Sequence, residues 1–325
     1  MLWLLLSLAL LVLLSESAVK SRTVRTVQEL SVQEKSVCVD AKYLNKAAPE
    51  DCSLLLKDIE ADETRIEEER VREIARWNVS SEKRVISFGL YGNKPKYLLG
   101  GLSNIELAKR YYPGWVCRFY VANVGPETTQ KLRDAGAEVV ISPGPGHMLS
   151  RFLVSNDSTV DRFIVRDVDS RLNSRERFAV EEWIRSGLKI HSMRDHINQI
   201  YEYNGGMWGA VKGAMPLLAQ KIEHMPLAKK TEGMQDIFTL VELWPLYMNH
   251  TLAHDSYNCL KYSKGKTPHI HLRPFPTRRP LNYLHVGQVF NENGQPRMTD
   301  IDRFMRGVPV SPACRPRGHA DWIYG

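Results

Sequence analysis

The chain has 325 residues, with 43% hydrophobic and 25% charged side chains, ordinary values for a globular enzyme that can bury one sizeable core. Its net charge of +7 suits nucleotide diphosphates or anionic glycans as well as it suits a plain basic surface. No uniform Lys/Arg tract is present, so composition gives no footprint for a nucleic-acid partner.

Met1–Leu14 is an apolar run followed by Ser15-Glu16-Ser17-Ala18. It is too short for an ordinary membrane span and reads as a signal peptide over residues 1–18. The other reading is a short signal anchor that tethers the protein to a membrane through its N-terminus. Either one sends the rest of the chain into the secretory pathway, to the Golgi or ER lumen, or out of the cell. Asn78-Val79-Ser80, Asn156-Asp157-Ser158 and Asn249-His250-Thr251 are glycosylation sequons in keeping with that route. The five cysteines, Cys38, Cys52, Cys117, Cys259 and Cys314, include no C-x-x-C pair. In an oxidising lumen they predict two disulfides and one free thiol. Cys38 and Cys52 are nearest in sequence, but spacing does not decide the connectivity.

Residues 19–82 read as a stem or helical N-terminal extension, and 83–325 as a catalytic domain. In the extension, Leu55, Ile59, Ile66, Val71 and Ile74 recur at roughly helical spacing. They predict a charged helix over 54–77, either a spacer or a helix packed on the domain. From Arg84 strand and helix signals alternate. Strands are expected at 85–90, 115–121, 137–141 and 162–166. Helices are expected through Leu98 and Ile105 with Pro95 in the first turn, at 127–135, and from Asn173 to Gly187. Asn173 can cap its helix, with Glu176 three residues on, and Gly187 can end it. The alternation predicts an α/β fold with a mostly parallel central sheet flanked by helices, where ligands gather at the carboxyl ends of strands.

Asp167-Val168-Asp169 stands at such an end, directly after the apolar Phe163-Ile164-Val165. Two carboxylates one residue apart in a strand-end turn suit a hard cation, Mn²⁺ or Mg²⁺. That ion shares its remaining positions with phosphate oxygens and water. Asp300-Ile301-Asp302 repeats the spacing without a strand before it.

At these residues the chain resembles glycosyltransferases of the GT-A type, and more closely a poorly characterised family of sugar-transferase-like proteins. The matching pieces begin with Ile86–Gly92, Arg162–Leu172, Glu181–Gly187 and His191–His196. They continue with Gly205–Gly209, His254–Tyr257, Pro274–Arg279 and Val286–Phe290, so the resemblance covers about residues 84–292. It implies a GT-A-like single domain with a nucleotide-sugar donor on its N-terminal half. It also implies Mn²⁺ or Mg²⁺ on Asp167 and Asp169, and a glycan, glycoprotein or other hydroxyl acceptor. One departure concerns the acid before Trp244-Pro245: the pattern has Asp-Gln, whereas this chain reads Gln235-Asp236. On a helix that shift turns the side chain by about 100°.

The remaining candidates follow from their neighbours. Arg166 and Arg171 flank the acid pair, and Arg278-Arg279 offers a second grip on diphosphate; each is also an ordinary salt-bridge residue. His254 is the candidate third metal ligand, with His285 its rival. Asp236 and Asp255 are the candidate bases, Asp255 favoured for its polar neighbours His254 and Tyr257. Asp195 and His196 are placed to orient substrate hydroxyls, and Trp208 offers either a sugar-stacking face or core packing. His269 and His271 share a strand face without further Zn²⁺ ligands. Two other functions use the same residues. One is a haloacid-dehalogenase-type phosphatase with Asp167 as nucleophile. The other is a secreted carbohydrate-binding protein on a transferase scaffold.

Overall fold

A computed structural model describes residues 35, 37–39, 41, 52–77, 80–142, 144–264 and 271–325. The apolar N-terminal run, Asn78 and His269 lie outside the described residues. Helix α1 (Cys52–Arg76) leads into β1 (Arg84–Tyr91), α2 (Pro95–Tyr111), β2 (Trp115–Ala122), α3 (Pro126–Asp134) and β3 (Glu138–Ile141). A 3₁₀ helix (Met148–Asn156) precedes β4 (Arg162–Arg166), α4 (Ser174–Ser186), β5 (Ile190–Arg194) and β6 (Met207–Val211). Then come α5 (Pro216–His224), α6 (Leu227–Lys230), α7 (Gln235–Tyr247), β7 (Thr251–Asp255), α8 (Cys259–Lys264), β8 (His271–Arg273) and α9 (Met298–Phe304).

The eight strands form one sheet in the order β3-β2-β1-β4-β6-β5-β7-β8. All pairings are parallel except those of β6 with β4 and with β5, so the expected α/β class with a mostly parallel sheet is the one observed. Strand alternation splits the core into two layers. Ile86, Phe88, Leu90 and Ile164 pack under α2 and α4, while Val85, Phe163 and Val165 pack under the 3₁₀ helix, α5 and α7. Trp208 belongs to the second layer and is fully buried, edge-on to Phe152 and Phe163, which removes it as a sugar platform.

Local signals explain the element ends near the site. The Asn173 side chain accepts from Glu176 N at 2.9 Å, and Gly187 closes α4 at φ 72°. Helix α1 packs on the domain: Ile74 is fully buried in the core, and Arg70 Nη2 donates to Arg278 O at 2.9 Å. Cys38 pairs with Cys52 and Cys259 with Cys314, leaving Cys117 free and buried. Among the described residues, no helix is long and apolar enough to cross a membrane.

Candidate active site

The chain leaves β1 towards β2 and β3, then returns to β4 on the other side of β1. In open α/β sheets the crevice at such a reversal, outside the carboxyl ends of the strands, is where ligands bind. Tyr91 ends β1 and Asp167 follows β4, so both stand at that crevice.

The Asp167–Asp169 turn is clamped from below. Ser170 N and Ser170 Oγ donate to Asp167 O at 3.1 and 2.7 Å. Buried Asn104 of α2 donates to Val168 O at 3.3 Å and Ser170 O at 3.0 Å, and accepts from Leu172 N at 3.0 Å. Gly100 permits this approach of helix to turn, because a Cβ there would lie 2.0 Å from Val168 O.

Arg151 of the 3₁₀ helix joins two acids. Its Nη1 donates to Asp167 Oδ1 at 2.5 Å and its Nη2 to Asp236 Oδ2 at 2.8 Å. Burial alone would lower the Arg151 pKa, but the two carboxylates outweigh it and hold it above its ordinary value. The Asp167 side chain is 42% exposed, whereas that of Asp236 is only 5% exposed. Burial raises the Asp236 pKa, with Arg151 pulling it down and Asp167 adding to the rise. Gly205 and Gly206 leave the space that these carboxylates fill. A Cβ on Gly205 would lie 2.0 Å from Asp236 Oδ2, and one on Gly206 2.2 Å from Asp167 Oδ2. Met234, left-handed at φ 62°, sets the start of α7 and so the direction of Asp236.

Asp169 faces a different cation, accepting from Lys96 Nζ in the first turn of α2 at 2.7 Å. Asp167 and Asp169 are hard oxygen donors, which fits Mg²⁺ or Mn²⁺. Among the described residues no group of three His, Cys, Asp or Glu side chains is placed to hold a metal. A cation on this pair would therefore complete its shell with ligand oxygens and water.

Several expected site residues lie elsewhere. Asp255 ends β7, three strand positions from β4 and so roughly 14 Å away along the sheet. It is fully buried, with Oδ2 accepting from Arg194 Nε at 2.5 Å and Oδ1 from Tyr257 N and Asn258 N at 2.9 and 2.6 Å. This carboxylate holds a turn and is no base for the crevice. His254 is also fully buried, its ring nitrogens engaged by His191 Nε2 and Glu182 Oε2, each at 2.8 Å, so it supplies no third ligand. Its rival His285 lies 4.7 Å from the ring of His196, and burial with that neighbour lowers its pKa to about 3. Arg166 is enclosed with Glu176 and the carbonyls of Val165 and Trp208. Arg279 is enclosed with Asp195, which also receives Arg175 and Ser256 and so is structural. Arg278 reaches Glu63 of α1 at 2.7 Å. Of the four expected arginines, Arg171 is the one without a carboxylate ion pair among the described residues; it lies 4.7 Å over the Phe290 ring, and Phe290 N donates to Asp169 O at 2.8 Å.

Asp236 joins the acid cluster despite its one-residue shift. Sequence reasoning missed Arg151, Asn104 and Lys96. Lys96 had a legible signal, a helix first turn at a strand's carboxyl end; Arg151 and Asn104 had none.

No protein-family model matches the chain, and no curated protein matches it in sequence. Among solved structures it is similar to glucosyl-3-phosphoglycerate synthase from Mycobacterium tuberculosis, in complex with Mn²⁺, UDP and glucosyl-3-phosphoglycerate. The identity is 10% and the TM-score 0.40, over 55% of this chain and 74% of that one. It is also similar to a CMP:2-keto-3-deoxy-manno-octonic acid synthetase complexed with CTP, at 13% identity and TM-score 0.34, over 53% of this chain and 90% of that one. A cytidylyltransferase from Leptospira borgpetersenii overlaps 53% of this chain and 74% of its own, at 12% identity and TM-score 0.36. These are likenesses of backbone arrangement over about half of this chain.

Proposed function

We propose that the chain is a GT-A-type glycosyltransferase, moving a sugar from a nucleotide-sugar donor to a hydroxyl of a glycan or glycoprotein with Mn²⁺ or Mg²⁺ as cofactor. One observation carries this reading: an acid pair on the turn after β4, at the reversal point of the sheet, with Asp167 tied through Arg151 to the buried Asp236. Asp167 and Asp169 would hold the cation, which supplies electrophilic stabilisation of the departing diphosphate. Lys96, on the first turn of α2 and paired with Asp169, would pass from that carboxylate to a donor phosphate when the cation takes Asp169. Asp236 is the base in this reading, since a buried carboxylate with a raised pKa takes a proton better than an ordinary aspartate. A base in that role makes the reaction inverting.

Secretory-pathway residence is part of the proposal. It is supported by the apolar N-terminus, the two disulfides, and the exposure of Asn156 and Asn249 in their sequons.

The test is a nucleotide-sugar panel with purified full-length protein and Mn²⁺, reading nucleoside diphosphate release and product anomeric configuration. Asp167→Asn and Asp169→Asn should each lower turnover by about 100-fold or more with circular dichroism unchanged. Wild-type turnover in both variants sinks the assignment. Phosphate release from simple esters would indicate the phosphatase, and sugar binding without turnover the lectin-like protein.

A further inference from the structure

Beside the acid pair lies a cavity of about 370 Å³ between α1 and the segment 280–290, within the usual size range of small-molecule pockets. Its wall includes Arg171 and Phe290, adjoining the Asp169 turn, and it reaches Arg110 and Tyr111 at the end of α2. The charges of the wall are matched with one exception. Glu63 pairs with Arg278 at 2.7 Å, Glu68 with Arg110 at 2.6 Å and Arg175 with Asp195 at 3.0 Å; Glu67 lies 3.6 Å from Arg70. Arg171 donates to Ser170 O at 2.8 Å and stacks on Phe290, and among the described residues no carboxylate closes an ion pair on it. The Asp169 carboxylate attracts Arg171 only at longer range and is itself paired with Lys96, so a ligand's negative charge would still stabilise this half-buried guanidinium. The same wall carries Asn282 and Gln288, and Gln288 Oε1 is buried without a hydrogen-bond partner among the described residues.

We propose that this cavity is the acceptor subsite and takes an acidic saccharide, its hydroxyls on the amide and carboxylate groups of the wall and its carboxylate or phosphate ester on Arg171. The proposal rests on the transferase reading for the word acceptor, but its binding chemistry stands separately. It also gives α1 a function: the helix that reads as a stem forms one side of the substrate site.

The test uses full-length protein without donor. Saturation-transfer NMR and titration would compare a glucuronate-terminated disaccharide, glucose 6-phosphate and a neutral glucose-terminated disaccharide. Both acidic probes should bind at least about tenfold more tightly than the neutral one, and Arg171→Gln should remove that preference, as loss of one charged hydrogen bond requires. Asn282→Trp, which fills the cavity, should abolish binding of all three while thermal unfolding shows a folded protein. Equal binding of acidic and neutral probes, or no binding of either, overturns the proposal. So does unchanged binding in both variants. A parallel titration with Mn²⁺ and nucleoside diphosphates separates the two readings. If Arg171→Gln weakens the nucleotide but spares the acidic probe, the arginine belongs to the donor and the proposal falls. If wild-type protein binds the acidic probes and no Mn²⁺–nucleotide, the transferase reading falls and the saccharide site stands.

Discussion

Replacing Arg151 by Met would keep the length of the side chain and remove the cation shared by Asp167 and Asp236. The two acids respond differently. Asp167 is 42% exposed and rehydrates, so its share of the loss stays below about 1 kcal/mol. Asp236 is 5% exposed and cannot, so it must take a proton or remain buried and unpaired. Protonating a carboxylate of ordinary pKa near 3.9 at pH 7 costs about 4 kcal/mol, at about 1.4 kcal/mol per pH unit. That escape caps the destabilisation at about 3–4 kcal/mol at pH 7. The sign follows from the direction of the shift. Burial raises the folded-state pKa of Asp236, so its contribution to stability is complete below the ordinary carboxylate range and is lost as pH climbs through the raised value. Without Arg151 the rise is larger and the loss extends further towards alkaline pH. Urea unfolding of the metal-free protein between pH 5 and 8 would read the effect. The gap between wild type and Arg151→Met should shrink by about 1 kcal/mol or more per pH unit on acidification. A gap under about 1 kcal/mol at pH 7 that does not vary with pH would refute the buried charge bridge.

Gly206→Ala should cost about 2–3 kcal/mol in thermal or urea unfolding and displace Asp167, because its Cβ would lie 2.2 Å from Asp167 Oδ2 and 2.9 Å from the Asp167 backbone nitrogen. Asp300→Ala should leave stability within about 0.5 kcal/mol and donor turnover unchanged, since that acid, in the first turn of α9, pairs with the exposed Arg297 three residues before it. In native protein a thiol reagent should find no reactive cysteine, burial having pushed the Cys117 thiol up to about 12, whereas denatured, unreduced protein should show one. Replacing Cys259 and Cys314 together by Ala should cost about 2–5 kcal/mol in unfolding free energy.

The strands around Phe88 and Ile164, the Asn173 cap, the Gly187 stop and the Asp167–Asp169 pair were all legible in the sequence, because each depends on residues a few positions apart. Asp167 and Asp169 could be placed at a strand end, and the acid pair's oxygen chemistry followed from residue type alone. Pairing across the sheet was not legible. The antiparallel insertion of β6 sent Trp208 into the core, where its glycine-flanked segment had allowed a surface reading. It also put three strand positions between Asp255 and the acid pair. Which of Asp236 and Asp255 stands at the crevice depended on partners: both are acids with polar neighbours, but one meets Arg151 there and the other is sealed against Arg194. Arg151 shows the reason most clearly. It lies 16 residues before Asp167 and 85 before Asp236 in sequence, and only the packing of the 3₁₀ helix across β1 and α7 brings the three together.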